Sequence, residues 1–226
     1  MISLSSTLTR KKLRRHDIKL SNHLSGFRSG AILELETGAS IGPGKMEFSK
    51  LSVGAYSYLR GECVLQNISL IGRFCSIGNR VLLGMQKRSG HIPEWVSTYP
   101  FPSLASKNNK STVPAVIGHD VWCGMDSLIF DGVSIGTGAI IGARSVVTKD
   151  VPPYAIVVGS PAKIVKFRHS EAMIQKLLES EWWLYSKEDL STLPINCPEE
   201  FLAALKSASF LPAKHERFKV SRAGLI

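Results

Sequence analysis

The chain has 226 residues, enough for one large domain with an ample core, and is 44% hydrophobic but only 8% aromatic,. Its net charge of +10 favours anionic partners, yet no nucleic-acid motif is present and no aromatics interleave with the basic run, so nucleic-acid binding is not expected,. No apolar stretch reaches membrane-spanning length, no apolar signal core follows the basic N-terminus, and Cys63, Cys75, Cys123 and Cys197 lack metal-ligand spacing, so a cytoplasmic protein with free thiols and no metal site is expected,.

In chain order, residues 1–30 hold "RKKLRRHDIK" and read as a solvated basic arm or cap,. Residues 31–168 then follow a six-residue rhythm. Aliphatic residues recur at Val53, Leu59, Leu65, Ile71, Ile77 and Leu83, with weaker members at Leu35 and Ile41. A second series runs Ile117, Cys123, Ile129, Ile135, Ile141 and Val147. Four positions after each sits a small or β-branched residue: Ser57, Cys63, Ser69, Cys75 and Val81, then Val121, Ser127, Val133, Ala139, Ser145 and Val151. A period of six suits neither an α-helix nor a simple strand, but it suits a short strand plus a tight corner. Such units bury their apolar side by coiling, each turn pairing with the next, which predicts a parallel β-helix with three six-residue sides.

Residues 85–116 interrupt the repeat with "GHIPEWVSTYPF" and are expected to leave the solenoid as a loop,. After residue 168, Ser170 is a candidate N-cap, with Met173, Ile174, Leu177 and Leu178 on one stripe of a helix,. A second helix is expected from Pro198, and helical caps over the open end of the β-helix would blunt its edge. The tail "KHERFKVSRAGLI" reads as poorly ordered,. Outward positions eighteen apart pair Trp122 with Ile140 and Leu128 with Val146, two apolar strips that call for a partner surface,. His119 lies at a corner of the repeat and reads as solvated, as do His16, His23, His169 and His215 in terminal or linking segments.

The stretch "IGHDVWCGMDSLIFDGVSIGTGAIIGARSVVTKDVPPYAIVVGSPAKIVKFR" resembles the last coils of the hexapeptide-repeat acyltransferases. "FCSIGNRVLLG", "GHIPEWVSTYPF" and "EWWLYS" are similar to the xenobiotic branch, which includes the type B chloramphenicol acetyltransferases. The resemblance implies a left-handed parallel β-helix, mainly β, with C-terminal helices. It also implies acetyl-CoA as acyl donor, no metal, and a homotrimer with sites between subunits.

By resemblance, His91 is the catalytic base and Glu94 orients it. Trp122, Gly124, Ala143, Thr148 and Lys149 contact coenzyme A, and Lys163 and Lys166 meet its phosphates. Trp95, Tyr99 and Phe101 wall the acceptor pocket or anchor the loop. Met125 stands where some relatives have serine beside the thioester. The expected activity is O-acetyl transfer to a saccharide or similar small acceptor. A chloramphenicol-type antibiotic is the alternative acceptor, and a non-catalytic scaffold the alternative class.

Overall fold

A computed structural model describes residues 4–86, 95–99, 101 and 113–226; the side chains of residues 4 and 5 lie outside that description. The described residues form a parallel β-solenoid of about seven turns, with helices after it. Its three faces hold eight, five and seven strands. On the eight-stranded face the register repeats every eighteen residues: Ser40 pairs with Tyr58, Tyr58 with Ser76, and Trp122 with Ile140. Ser76 pairs directly with Trp122, so the stack of this face continues although 46 residues separate them rather than eighteen.

The hexad residues point inward as their spacing requires. All twelve, from Val53 to Val147, are 3% exposed or less, and each buried aliphatic side chain contributes roughly 1.5–3 kcal/mol,. One position departs. Ser69 was expected inward, but a register shift between Ala115 and Val116 lets Ile68 take the buried place. Buried Ser57 fits this interior because its hydroxyl donates to the Gly72 carbonyl at 2.6 Å and accepts from the Cys75 N–H at 2.9 Å,. Cys63, Cys75 and Cys123 are buried free thiols, and burial pushes the Cys75 thiol up to about 12.

Corners carry residues in the left-handed region, stacked in columns. One column is Tyr56, Phe74, Asp120, Gly138 and Tyr154; another is Glu62, Arg80, Asp126 and Arg144. Gly138 (φ 75°) is doubly constrained, because a β-carbon there would come within 2.6 Å of the Tyr154 ring,.

Helix α1 (Leu4–Arg14) begins the chain and is ordered, with Leu13 in the solenoid core. The first parallel pairing already occurs at Lys19–Leu20, within the stretch expected to be an arm or cap. At the other end the strand Ala155–Gly159 folds back as an antiparallel hairpin with Ala162–Phe167.

The expected helix at Ser170 is α2 (Glu171–Glu179), with the Ser170 hydroxyl accepting from the Met173 N–H. It is followed by α3 (Lys187–Ser191) and α4 (Pro198–Ser207). These helices were expected over the open end of the solenoid; the apolar contacts of their buried residues are at one of its corners. They lie along the aromatic corner column, where Met173 and Leu177 pack with Tyr154, and Leu190, Phe201 and Leu205 pack beside Phe74 and Trp182. The Phe74 and Tyr154 rings at that corner give the helices an apolar surface to pack on.

The tail is ordered, contrary to expectation. Arg217–Ser221 pairs antiparallel with Ile32–Glu36 and extends the seven-stranded face, burying Val220 completely. A distant strand edge, which no local pattern in the tail announces, supplies its order.

Candidate functional site

Trp122 stands on the strand Trp122–Cys123, whose alternation turns Cys123 inward and leaves the indole 55% exposed,. The chain then bends at Gly124. The Gly124 N–H donates to the Ile141 carbonyl at 2.8 Å, and the Arg144 N–H donates to the Met125 carbonyl at 2.9 Å. The two corners are so close that a β-carbon on Gly124 would lie 2.5 Å from the Ala143 nitrogen, so only glycine fits,. Ala143 is exposed on the upper corner.

The same corner carries charge. Arg80 donates through Nε to Asp126 Oδ1 at 2.7 Å, and Arg144 Nε is 3.8 Å from Asp126 Oδ2. The Arg80 hydrogen bond holds the Asp126 carboxyl below its ordinary range. Exposed Met125 lies beside this pair, 3.1 Å from an Arg80 nitrogen.

Lys163 and Lys166 are exposed on the strand Ala162–Phe167. Lys166 pairs with Ile156, which pairs with Ile140, which pairs with Trp122. The outward row Trp122–Ile140–Ile156–Lys166 therefore spans three strand spacings, roughly 14 Å. Thr148 and Lys149 follow the strand Val146–Val147 and sit on the next corner, the first half-buried and the second exposed. The structure thus gathers Trp122, Gly124, Ala143, Lys163 and Lys166 on one face and its edge, with Thr148 and Lys149 one corner away.

His91 and Glu94 lie outside the described residues. Of the three aromatic candidates, Trp95 is half-buried, while Tyr99 and Phe101 are 61% and 48% exposed and meet edge to face at 5.0 Å.

His119 is half-buried rather than fully solvated. Its Nδ1 accepts from the Arg73 N–H at 3.0 Å, which leaves the ring proton on Nε2, and its ring stacks on Trp183 at 4.8 Å. Burial, reinforced by the Arg73 charge, pulls its pKa down to about 4. His16 is tied to Glu216, and burial lowers both His169 and His215.

Beside His119 lies a cluster that sequence reading misses. Arg73 grips Glu36 with two hydrogen bonds of 2.7 and 3.1 Å, and Arg217 adds a third at 3.1 Å. Burial alone would raise the Glu36 pKa, but Arg73, the Ala55 N–H and Arg217 outweigh it and hold the carboxyl below its ordinary range. Glu36 and Arg217 are 181 residues apart, so no local spacing could reveal the pair. A cleft of about 330 Å³ opens here, lined by Glu34, Ser52, Leu70, Arg73, His119 and Arg217 among others. Among the described residues, no group of three or more His, Cys, Asp or Glu could hold a metal ion. No described helix is long and apolar enough to cross a membrane.

No protein-family model matches the chain. It is 40% identical over 163 residues to a chloramphenicol acetyltransferase of Agrobacterium fabrum, a match covering 62% of this chain and 78% of that one. A chloramphenicol acetyltransferase of Klebsiella aerogenes is 41% identical, covering 61% and 70% of the two chains. A probable macrolide acetyltransferase of Lysinibacillus sphaericus is 42% identical, covering 54% and 72%. Among solved structures, a hexapeptide-repeat acetyltransferase of Vibrio cholerae matches with a TM-score of 0.50 at 21% identity, covering 74% of this chain and 95% of that one. That likeness is one of fold.

Proposed function

Because the chain belongs to the hexapeptide-repeat acetyltransferases, in the branch of the chloramphenicol acetyltransferases, we propose that it moves an acetyl group from acetyl-CoA to a hydroxyl of a saccharide or similar small acceptor. The observation that carries this reading is the outward row from Trp122 to Lys166, with the open corner at Gly124 and Ala143 beside it. An exposed indole offers apolar surface to a pantetheine arm. Lys163 and Lys166 supply point charges for phosphates at the far end of the row. Lys149, on the neighbouring corner, adds a third.

The donor brings an acetyl group activated as a thioester. His91 takes the acceptor's hydroxyl proton as the C–O bond forms and the C–S bond breaks, then returns that proton to the departing thiolate. Glu94 orients the imidazole. A backbone N–H stabilises the developing oxyanion. No acyl-enzyme is needed, since buried Cys75 and Cys123 have raised pKa values and are poor nucleophiles,. The outward strips support a homotrimer in which His91 of one subunit faces cofactor held partly by its neighbour.

A chloramphenicol-type antibiotic is the second reading for the acceptor, favoured by the chloramphenicol acetyltransferases at 40 and 41% identity. Acetyl-CoA-dependent thiol release, measured against chloramphenicol, amino sugars and nucleotide sugars, separates the two. Transfer to an amino or nucleotide sugar supports the first reading, and transfer to chloramphenicol alone supports the second. His91→Ala is expected to lower kcat by roughly 10²–10⁴-fold on whichever acceptor reacts. Equal turnover by wild type and variant removes His91 as base. Lys166→Ala is expected to raise KM for acetyl-CoA with little change in kcat.

A further inference from the structure

Charge is unevenly distributed over this molecule. Between Leu4 and Gly30 there are seven Lys and Arg against one Asp, a net +6 of the chain's +10. Between residues 171 and 207 there are three Lys against seven acids, a net −4. The positive pole coincides with the N-terminal end of the solenoid, because α1 packs against both Lys19–Leu20 and Gly224–Leu225.

Helix α1 is two-sided. Ser6, Thr9 and Leu13 are buried against the solenoid. Leu8, Lys11 and Lys12, continued by Arg15 in the turn that follows the helix, recur at helical spacing and are all exposed, Leu8 by 57%,. Lys11, Lys12 and Arg14 in the last turn complement the helix dipole, but the dipole does not call for a further three cations at Arg10, Arg15 and Lys19,. Beside the helix is a recess of about 490 Å³ lined by Arg10, Arg14, Lys19, Ser21 and a single acid, Asp17. The Arg10 Nε is buried and has no hydrogen-bond partner among the described residues. The nearby carboxylate of Glu216 is already held by His16.

We propose that this end of the solenoid docks on an anionic lipid surface, with the cations of α1 and Lys19 at the phosphate headgroups and Leu8 entering the interface. Charge complementarity selects an anionic partner. The exposed leucine in the middle of the cationic stripe selects a lipid over a soluble polyanion, which offers an isolated apolar side chain nothing. The strand Lys19–Leu20, against which α1 packs, lies four strand spacings, roughly 19 Å, from Trp122, so docking at this end leaves the proposed acetyl-transfer row open,.

The test is co-sedimentation of the full chain with phosphatidylcholine vesicles, with or without phosphatidylglycerol, and a parallel titration with heparin. Wild type is expected to sediment only with the anionic vesicles and to be released by salt. Each Lys or Arg near an anionic surface is worth about fivefold in partitioning, so K11Q/K12Q/R15Q is expected to lose on the order of a hundredfold. Leu8→Gln is expected to weaken vesicle binding several-fold and leave heparin binding unchanged. Thermal melting and acetyl-CoA turnover in solution should match wild type for both variants, which separates lost docking from lost folding. Absence of sedimentation with anionic vesicles overturns the proposal. So does vesicle binding that Leu8→Gln leaves untouched while heparin competes fully, which would assign the patch to a soluble polyanion.

Discussion

His119 shows how a corner residue becomes structural once its neighbours arrive. In sequence it occupies a position open to many polar side chains, but Trp183 covers one face of its ring and the Arg73 N–H occupies Nδ1. The folded ring resists protonation down to about pH 4, whereas an unfolded histidine takes its proton near 6.5. Between these values the unfolded chain binds more protons, so stability rises with pH. The contribution is complete above 6.5 and is lost as pH falls towards 4. Allowing for solvent screening of a partly open ring, it is on the order of 2 kcal/mol. His169 and His215, also lowered by burial, act in the same direction. Urea denaturation of wild type and His119→Gln at pH 7 and pH 4.5 should show a smaller loss of stability on acidification in the variant. Identical losses would mean that His119 does not resist protonation in the folded chain.

At the scale of elements, the informative case is the returning tail strand. Arg217–Ser221 has the alternation of a strand but only a short apolar content, and its order depends on the unpaired edge of Ile32–Glu36 and on the Glu36–Arg217 ion pair. Val220 enters the core cluster at zero exposure. A carboxylate there would be buried without a partner, at a cost of several kcal/mol, more than a five-residue strand contributes by pairing. Val220→Asp should therefore release the tail while the solenoid stays folded. Limited trypsin digestion should cut at Arg217, Lys219 and Arg222, with the far-ultraviolet circular dichroism of the solenoid retained. A tail still resistant to trypsin would show that strand pairing alone holds it. The helices teach the same lesson. Their caps and stripes are legible at Ser170 and Pro198, but their place along the aromatic corner follows from Tyr154 on the last coil and from Phe74, which is far away in sequence.

For the whole molecule, the hexad side chains fill a core within one chain, while apolar side chains also line the outer faces. Leu128 pairs with Val146 on the five-stranded face and Trp122 with Ile140 on the eight-stranded face, and the terminal hairpin exposes Val158, Ile164, Val165 and Phe167. Apolar rows on the outside of a solenoid are expected to be covered by other copies of the chain. Sedimentation equilibrium should give three times the monomer mass for wild type, and Leu128→Asp should shift the population towards monomer at micromolar concentration. A monomeric wild type would leave the row proposed for acetyl transfer within one subunit and remove the reason for the proposed base, His91, to act across a boundary.

The amino-acid sequence by itself determined the solenoid, because a six-residue period in small and aliphatic side chains is satisfied only by coils that stack in register. It also determined where the repeat is interrupted, where α2 and α4 start, and that Trp122 faces outward, since each depends on residues a few positions apart. Tertiary structure decided what lies between distant segments: the Arg73 clamp on Glu36 and Arg217, the burial of His119, the tail on the first long strand, the inward turn of Ile68 in place of Ser69, and the gathering of positive charge at one end. Those contacts join residues as distant in the chain as Ile32 and Ser221, and they form only after the coil has brought its edges and corners into line.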